Sequence, residues 1–218
     1  MRHILRQYGN NSDLLLFFAG WGTDEHIFDI KPPLEYDYML CYDYSSINFD
    51  LSLLTPYHKI YLVAWSLGVW MASYTLSKQR LPIEKRIAIN GTMFPRDDER
   101  GIPKNIFDST LAYFSQPTLD KFRRRMCYTK EELNKFLQLK PYRDVRSLHE
   151  ELFNINNLMS MDDTPSMDWD LAIMGKNDLI FPYANQQRAW QNTDTKSVDI
   201  AHYDKEYFDY CLFNVKTL

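Results

Sequence analysis

The sequence predicts an α/β fold, a mostly parallel sheet covered by helices, and three observations carry that prediction. Short apolar runs without in-out alternation recur along the 218 residues, and continuous runs of that length suit strands buried on both faces. Helical patterns separate the runs, and alternation of strand with helix argues for α/β layering. The chain is 45% hydrophobic and 15% aromatic. That composition argues against disorder and provides core enough for a single domain over residues 1–218 without disulfide or metal staples.

The apolar runs fall at residues 14–18, 38–42, 60–64, 86–90, 171–174 and 197–200. A helical pattern over 67–79 follows the third run directly. From about 104 to 158 no strand pattern appears, and helices are expected near 119–126, 130–139 and 143–154. In the last of these Val145, Leu148, Leu152 and Phe153 share one side, with Arg146 and Glu150 elsewhere. The stretch at about 104–158 therefore reads as a helical insertion that caps the sheet. Near the C-terminus Tyr207, Phe208, Cys211, Leu212 and Val215 form one apolar stripe, the pattern of a packed helix.

Charge follows the same division. The chain as a whole carries a formal −4 with a pI near 5.7, so no overall basic field draws in nucleic acid or a membrane surface. Residues 117–149 nevertheless hold nine Lys and Arg against four Asp and Glu. Such a cluster either solvates exposed helices or steers an acidic partner. Three cysteines, Cys41, Cys127 and Cys211, lack paired or metal-ligand spacing, which does not suit a disulfide framework or a zinc site. The N-terminus lacks the apolar core of a signal peptide, and no run approaches the ~20 residues of a membrane span. A soluble, reduced, cytoplasmic protein is expected.

Four features fall at the carboxyl ends of four expected strands, the edge where open α/β sheets place their sites. In Ala64-Trp65-Ser66-Leu67-Gly68 a serine lies between strand and helix, flanked two residues away by small side chains, as a sharp turn exposing its hydroxyl requires. Ala19-Gly20-Trp21-Gly22 places two glycines in four residues of a chain with only seven, about half the usual share. A backbone that must come close to something needs them. It is not a phosphate loop, because the later glycine and the Gly-Lys-Ser/Thr ending are absent. Gly175-Lys176-Asn177-Asp178 follows the fifth run and Ala201-His202-Tyr203 the sixth. The order Ser66, Asp178, His202 is the one that α/β acyl-transfer enzymes use. The amide N–H groups of Leu67 and Trp21 stand where two oxyanion donors are needed.

Together these motifs resemble the α/β-hydrolase superfamily over essentially the whole chain. The elbow Trp65-Ser66-Leu67-Gly68 and the turn Phe18-Ala19-Gly20-Trp21-Gly22 resemble those of BioG-type pimeloyl-[acyl-carrier protein] methyl ester esterases of biotin synthesis. Two positions depart from the superfamily pattern: Ala64 replaces the elbow's first glycine, and Ala19 replaces a histidine common before the glycine that is Gly20 here. The resemblance implies hydrolysis of the methyl ester on carrier-bound pimeloyl, with Ser66 as nucleophile, Asp178 as orienting acid and His202 as base. It implies oxyanion donors at Trp21 and Leu67, no metal or redox cofactor, and a lid that meets the acidic acyl carrier protein. Arg124, Arg143 and Arg146 are then the expected carrier contacts. Phe122, Phe136, Met159 and Met161 are candidates for an apolar channel, with core packing as their other role. A small-molecule carboxylesterase or thioesterase, and a non-catalytic binding protein on this scaffold, remain open alternatives.

Overall fold

Leu14, Leu15, Leu16, Phe17 and Phe18 are all without solvent exposure, as a strand with helices on both faces requires. In the computed structural model, which describes residues 1–31, 33–161 and 165–218, they form most of strand β2 (Asp13–Phe18). Its neighbours β3 (Asp37–Tyr42) and β4 (Lys59–Trp65) are buried almost throughout. With β1 (Arg2–Arg6), β5 (Ile83–Ile89), β6 (Leu171–Gly175) and β7 (Thr195–Val198) they make a seven-stranded sheet of order β1-β3-β2-β4-β5-β6-β7. Every pairing is parallel except β1 against β3. Phe18 pairs with Ala64, Ala64 with Ala88 and Ile89 with Ile173, so β2, β4, β5 and β6 end level at their carboxyl edge.

Helix α1 (Leu67–Leu76) starts one residue after β4 and is buried nearly all round, as expected of a helix with no polar face. Helices α2 (Lys104–Ala112), α3 (Gln116–Cys127), α4 (Lys130–Gln138) and α5 (Val145–Met159) lie in the chain between β5 and β6. They correspond to the expected insertion, with no strand among its described residues. Thr129 caps α4 through Glu132 N–H at 3.2 Å, and Asp144 caps α5 through Ser147 N–H at 2.7 Å; each meets an N–H that the first helical turn leaves open. Helix α6 (Tyr183–Ala189) follows β6, and α7 (Lys205–Phe213) closes the fold, capped by Asp204 on Tyr207 N–H at 2.9 Å.

Several elements depart from the sequence reading, α2 among them, since the first helix of the stretch was expected near residue 119. β1 is an antiparallel edge strand with Arg at both ends, so it has no continuous apolar run; charge on an edge also guards against unwanted pairing. β7, the other edge, is Thr-Lys-Ser-Val with an almost wholly exposed pattern. The expected run 197–200 is shifted because Ile200 is buried at 6% exposure in the loop beyond the strand. α6 buries Asn185 and Gln186, polar residues that leave no apolar stripe to read.

Candidate active site

The turn from β4 into α1 is a single residue, Ser66, held at φ 58° and ψ −130°. Positive φ is uncommon outside glycine, and such strain costs about 1–3 kcal/mol that the surrounding packing must offset. The packing is tight enough to do so. A Cβ on Gly68 would lie 2.3 Å from Phe18 O and 2.5 Å from Ala19 O, and one on Gly91 would lie 2.2 Å from Ser66 O. Gly91, two residues past the end of β5, lets that strand's end approach the serine.

The structure brings together Ser66, Asp178 and His202, which lie 112 and 24 residues apart in sequence. His202 Nε2 is 2.9 Å from Ser66 Oγ, and His202 Nδ1 is 2.8 Å from Asp178 Oδ2. Asp178 Oδ1 accepts from the N–H groups of Ile180 at 2.7 Å and Phe181 at 2.9 Å. Gln186 Nε2 donates to Asp178 Oδ2 at 3.0 Å. With both oxygens filled by N–H donors, the carboxylate acts as an acceptor toward Nδ1. The network thus assigns the proton to Nδ1 and leaves the Nε2 lone pair facing the serine hydroxyl. The imidazole is enclosed by Phe181, stacked at 6.0 Å, and by Trp65 at 5.2 Å, and is only 1% exposed.

Ser66 opens onto a cavity of about 370 Å³ lined by Trp21, Leu67, Ile102, Phe107, Phe122 and Leu152 among others. A mainly apolar wall with a few polar groups is the usual character of a small-molecule site. Leu67 is the first residue of α1, so its N–H has no partner within the helix; Trp21 shares the same cavity. The Trp21 turn is pinned on several sides. Tyr44 OH donates to Ala19 O at 2.7 Å, Thr23 Oγ1 to Gly20 O at 2.7 Å, and the Trp21 indole N–H to Leu148 O at 2.8 Å. The last of these ties the turn to α5.

The three expected carrier contacts separate. Arg124 is exposed, and Arg146, 88% exposed at its side chain, pairs with Glu150 at 2.9 Å. Arg143 is a correction. Its side chain is 3% exposed, with Nη1 2.6 Å from Glu151 Oε2 and Nη2 3.0 Å from Asp43 Oδ1, so it holds the fold and has no face for a partner. Burial pushes the Glu151 carboxyl above its ordinary range, opposed by the Arg143 charge. Of the apolar channel candidates, Phe122 lines the cavity. Phe136 packs on Tyr203, Met159 packs against the core, and Met161 is 60% exposed.

Sequence reasoning passed over Lys121 and Arg125, which line the cavity with Pro117, Thr118 and Phe122. Those positions fall at i, i+1, i+4, i+5 and i+8, one face of α3, and that spacing was a legible signal. It also passed over Gln186, whose link to Asp178 is purely tertiary.

A family model described as Pimeloyl-ACP methyl esterase BioG matches residues 1–213. A Malonyl-[acyl-carrier protein] O-methyltransferase of Bacteroides fragilis is 47% identical over 196 residues, 89% of this chain. The chain spans 40% of the length of that relative. The crystal structure of BioG from Haemophilus influenzae superposes with a TM-score of 0.87 at 34% identity, covering 98% of this chain and 100% of that one. A lipase-esterase related protein from Clostridium acetobutylicum shares the fold, at a TM-score of 0.65 and 15% identity, over 99% of this chain and 95% of its own. With its α/β-hydrolase sheet and a match along nearly its whole length, the chain belongs to the BioG family of pimeloyl-ACP methyl esterases.

Proposed function

We propose that this protein hydrolyses the methyl ester of a pimeloyl chain carried on acyl carrier protein, releasing methanol, with Ser66, His202 and Asp178 as its catalytic residues. The observation that supports this most is the pair of contacts at His202, 2.9 Å to Ser66 Oγ and 2.8 Å to Asp178 Oδ2, beside an apolar cavity. In this reading His202 Nε2 takes the Ser66 proton as Oγ attacks the ester carbonyl carbon. The Trp21 and Leu67 N–H groups hold the oxyanion. Collapse of the tetrahedral intermediate breaks the bond to methoxide, which leaves as methanol with the proton from His202. Water then attacks the acyl-enzyme, His202 takes its proton, and Ser66 is returned as the carboxylate product departs.

The helices α2 to α5 act as the lid, and α3 offers the carrier its cations. Lys121 and Arg125 lie on the cavity wall, where an anionic group on the incoming arm would meet them, and Arg124 and Arg146 add charge outside it. Methyl transfer, named for the Bacteroides relative, belongs in this reading to the part of that protein that the chain does not match. The Ser-His-Asp constellation here is suited to acyl transfer to water.

Ser66→Ala tests the reading. The variant should fold as the wild type and lose about 10⁶-fold in kcat, as removal of a serine nucleophile does elsewhere. It should also lose covalent labelling by a fluorophosphonate. Turnover near the wild-type rate would remove Ser66 from the reaction.

A further inference from the structure

Asn90 closes the apolar run of β5 and is wholly buried. Its backbone sits at φ 46°, a left-handed conformation that asparagine tolerates better than most residues. Its side-chain amide is spent on the two loops that carry Asp178 and His202. Oδ1 accepts from Gly175 N–H at 2.6 Å, at the start of the turn that leads to Asp178. Nδ2 donates to Ala201 O at 2.8 Å and to His202 O at 3.0 Å. One amide thus holds, on its two sides, the segment bearing the acid and the segment bearing the imidazole. The residue after it, Gly91, abuts the Ser66 carbonyl, where a Cβ would come within 2.2 Å.

Other bonds join the same two segments. Lys176 N–H donates to Val198 O at 2.9 Å and Asn177 N–H to Ile200 O at 3.1 Å. Both lie before residue 201, so they fix where the second loop begins without reaching His202. At His202 itself the backbone carbonyl is held by Asn90 Nδ2 and by Trp65 Nε1, the latter at 2.9 Å. A buried amide with its donors and acceptor all matched is rigid, because breaking one bond strands a polar group in the core.

We propose that Asn90 is a positioning residue that sets the Asp178–His202 geometry by clamping the two loops together; this rests on the reading of Ser66, His202 and Asp178 given above. The residue touches no reacting atom. It acts through the imidazole, whose displacement by about 1 Å is enough to cost on the order of 100-fold in rate.

Two variants test it. Asn90→Gly removes the amide and suits the positive φ. Asn90→Asp keeps the shape and the acceptor for Gly175 N–H, but faces the carbonyls of Ala201 and His202 with an oxygen in place of the donor. Each is assayed for kcat and KM on the methyl ester, and by proton NMR for the downfield resonance of the hydrogen-bonded His202 Nδ1–H. A thermal melt shows which variants are folded. Both variants should lose about 10- to 100-fold in kcat with KM within about twofold, and the downfield proton should broaden or vanish. If Asn90→Gly fails to fold, Asn90→Asp alone decides. A kcat for folded Asn90→Asp within about threefold of wild type would overturn the clamp. So would a lower kcat with the downfield proton unchanged, since that is the mark of a merely structural role. Ser66→Ala run alongside separates the two claims: its turnover would sink the nucleophile reading, whereas an inert Ser66→Ala beside fully active Asn90 variants would sink the clamp alone.

Discussion

Ser66 and Asp178 were legible because each follows an apolar run that forms a buried strand, β4 and β6; His202 was legible from its order after them, although β7 before it is an exposed edge. Strand ends in a parallel sheet come level in space, so residues far apart in sequence were expected at one edge. Asn90 and Gln186 were not legible. Their partners are the Gly175 N–H, the carbonyls of residues 201 and 202, and the Asp178 carboxylate, and nothing local marks a polar residue as sharing a site. Arg143 was misread for a related reason: a positive charge in a basic stretch carries no sign of burial, and its partner Asp43 lies 100 residues upstream. Cys41, Cys127 and Cys211 are free and buried. Burial pushes the thiols of Cys127 and Cys211 up to about 12 and that of Cys41 higher still. A thiol that stays protonated is a poor nucleophile. Iodoacetamide at pH 8 should therefore label none of the three in the folded protein and all three in denaturant, as read by intact mass; rapid labelling of the native protein would contradict the burial.

Among the elements, β2, β3, β4 and β6 were found to within a residue, because burial leaves an unbroken apolar run; β5 begins three residues before its expected run, where Glu84 and Lys85 break the apolar pattern. The edges were not, because an edge strand needs neither apolar face. Helices were expected between β5 and β6 and lie there, but how they attach was not legible. α5 is tied to the sheet through Glu151, which pairs with Arg143 and accepts from Tyr44 N–H at 3.0 Å. Tyr44 in turn holds Ala19 O. Removing one partner of a buried pair strands the other charge. Arg143→Met should lower unfolding free energy in urea by about 3–5 kcal/mol. Glu151 is already raised by burial, and the variant raises it further by deleting the opposing charge. A carboxyl with a folded pKa above its unfolded value stabilises at low pH and loses that contribution as pH rises through the folded pKa. The deficit of Arg143→Met should therefore be smallest in acid and grow toward neutrality. A deficit independent of pH would show that Glu151 is not the group left uncompensated.

Over the whole molecule the charge is divided. Residues 117–149 carry a net positive charge within an acidic chain, and α3 carries part of it beside the cavity. An acidic carrier approaching such a surface is steered at long range, and salt weakens that attraction. Reversal at Arg124→Glu with Arg146→Glu should raise KM for the carrier-bound ester by about 5- to 10-fold at low ionic strength. It should affect a free methyl ester far less and flatten the salt dependence. An equal loss on both substrates would show that the charges serve the fold.

The central claim joins the site to that surface: a serine esterase whose substrate arrives on a carrier. Methanol release by the wild-type protein from pimeloyl-carrier methyl ester, set against release from the free methyl ester of pimelic acid, tests it most directly. Binding energy from the carrier, remote from the reacting carbonyl, should raise kcat/KM for the carrier-bound ester by about 100-fold or more. Equal kcat/KM on the two esters, or cleavage of the carrier thioester in place of the methyl ester, would contradict it.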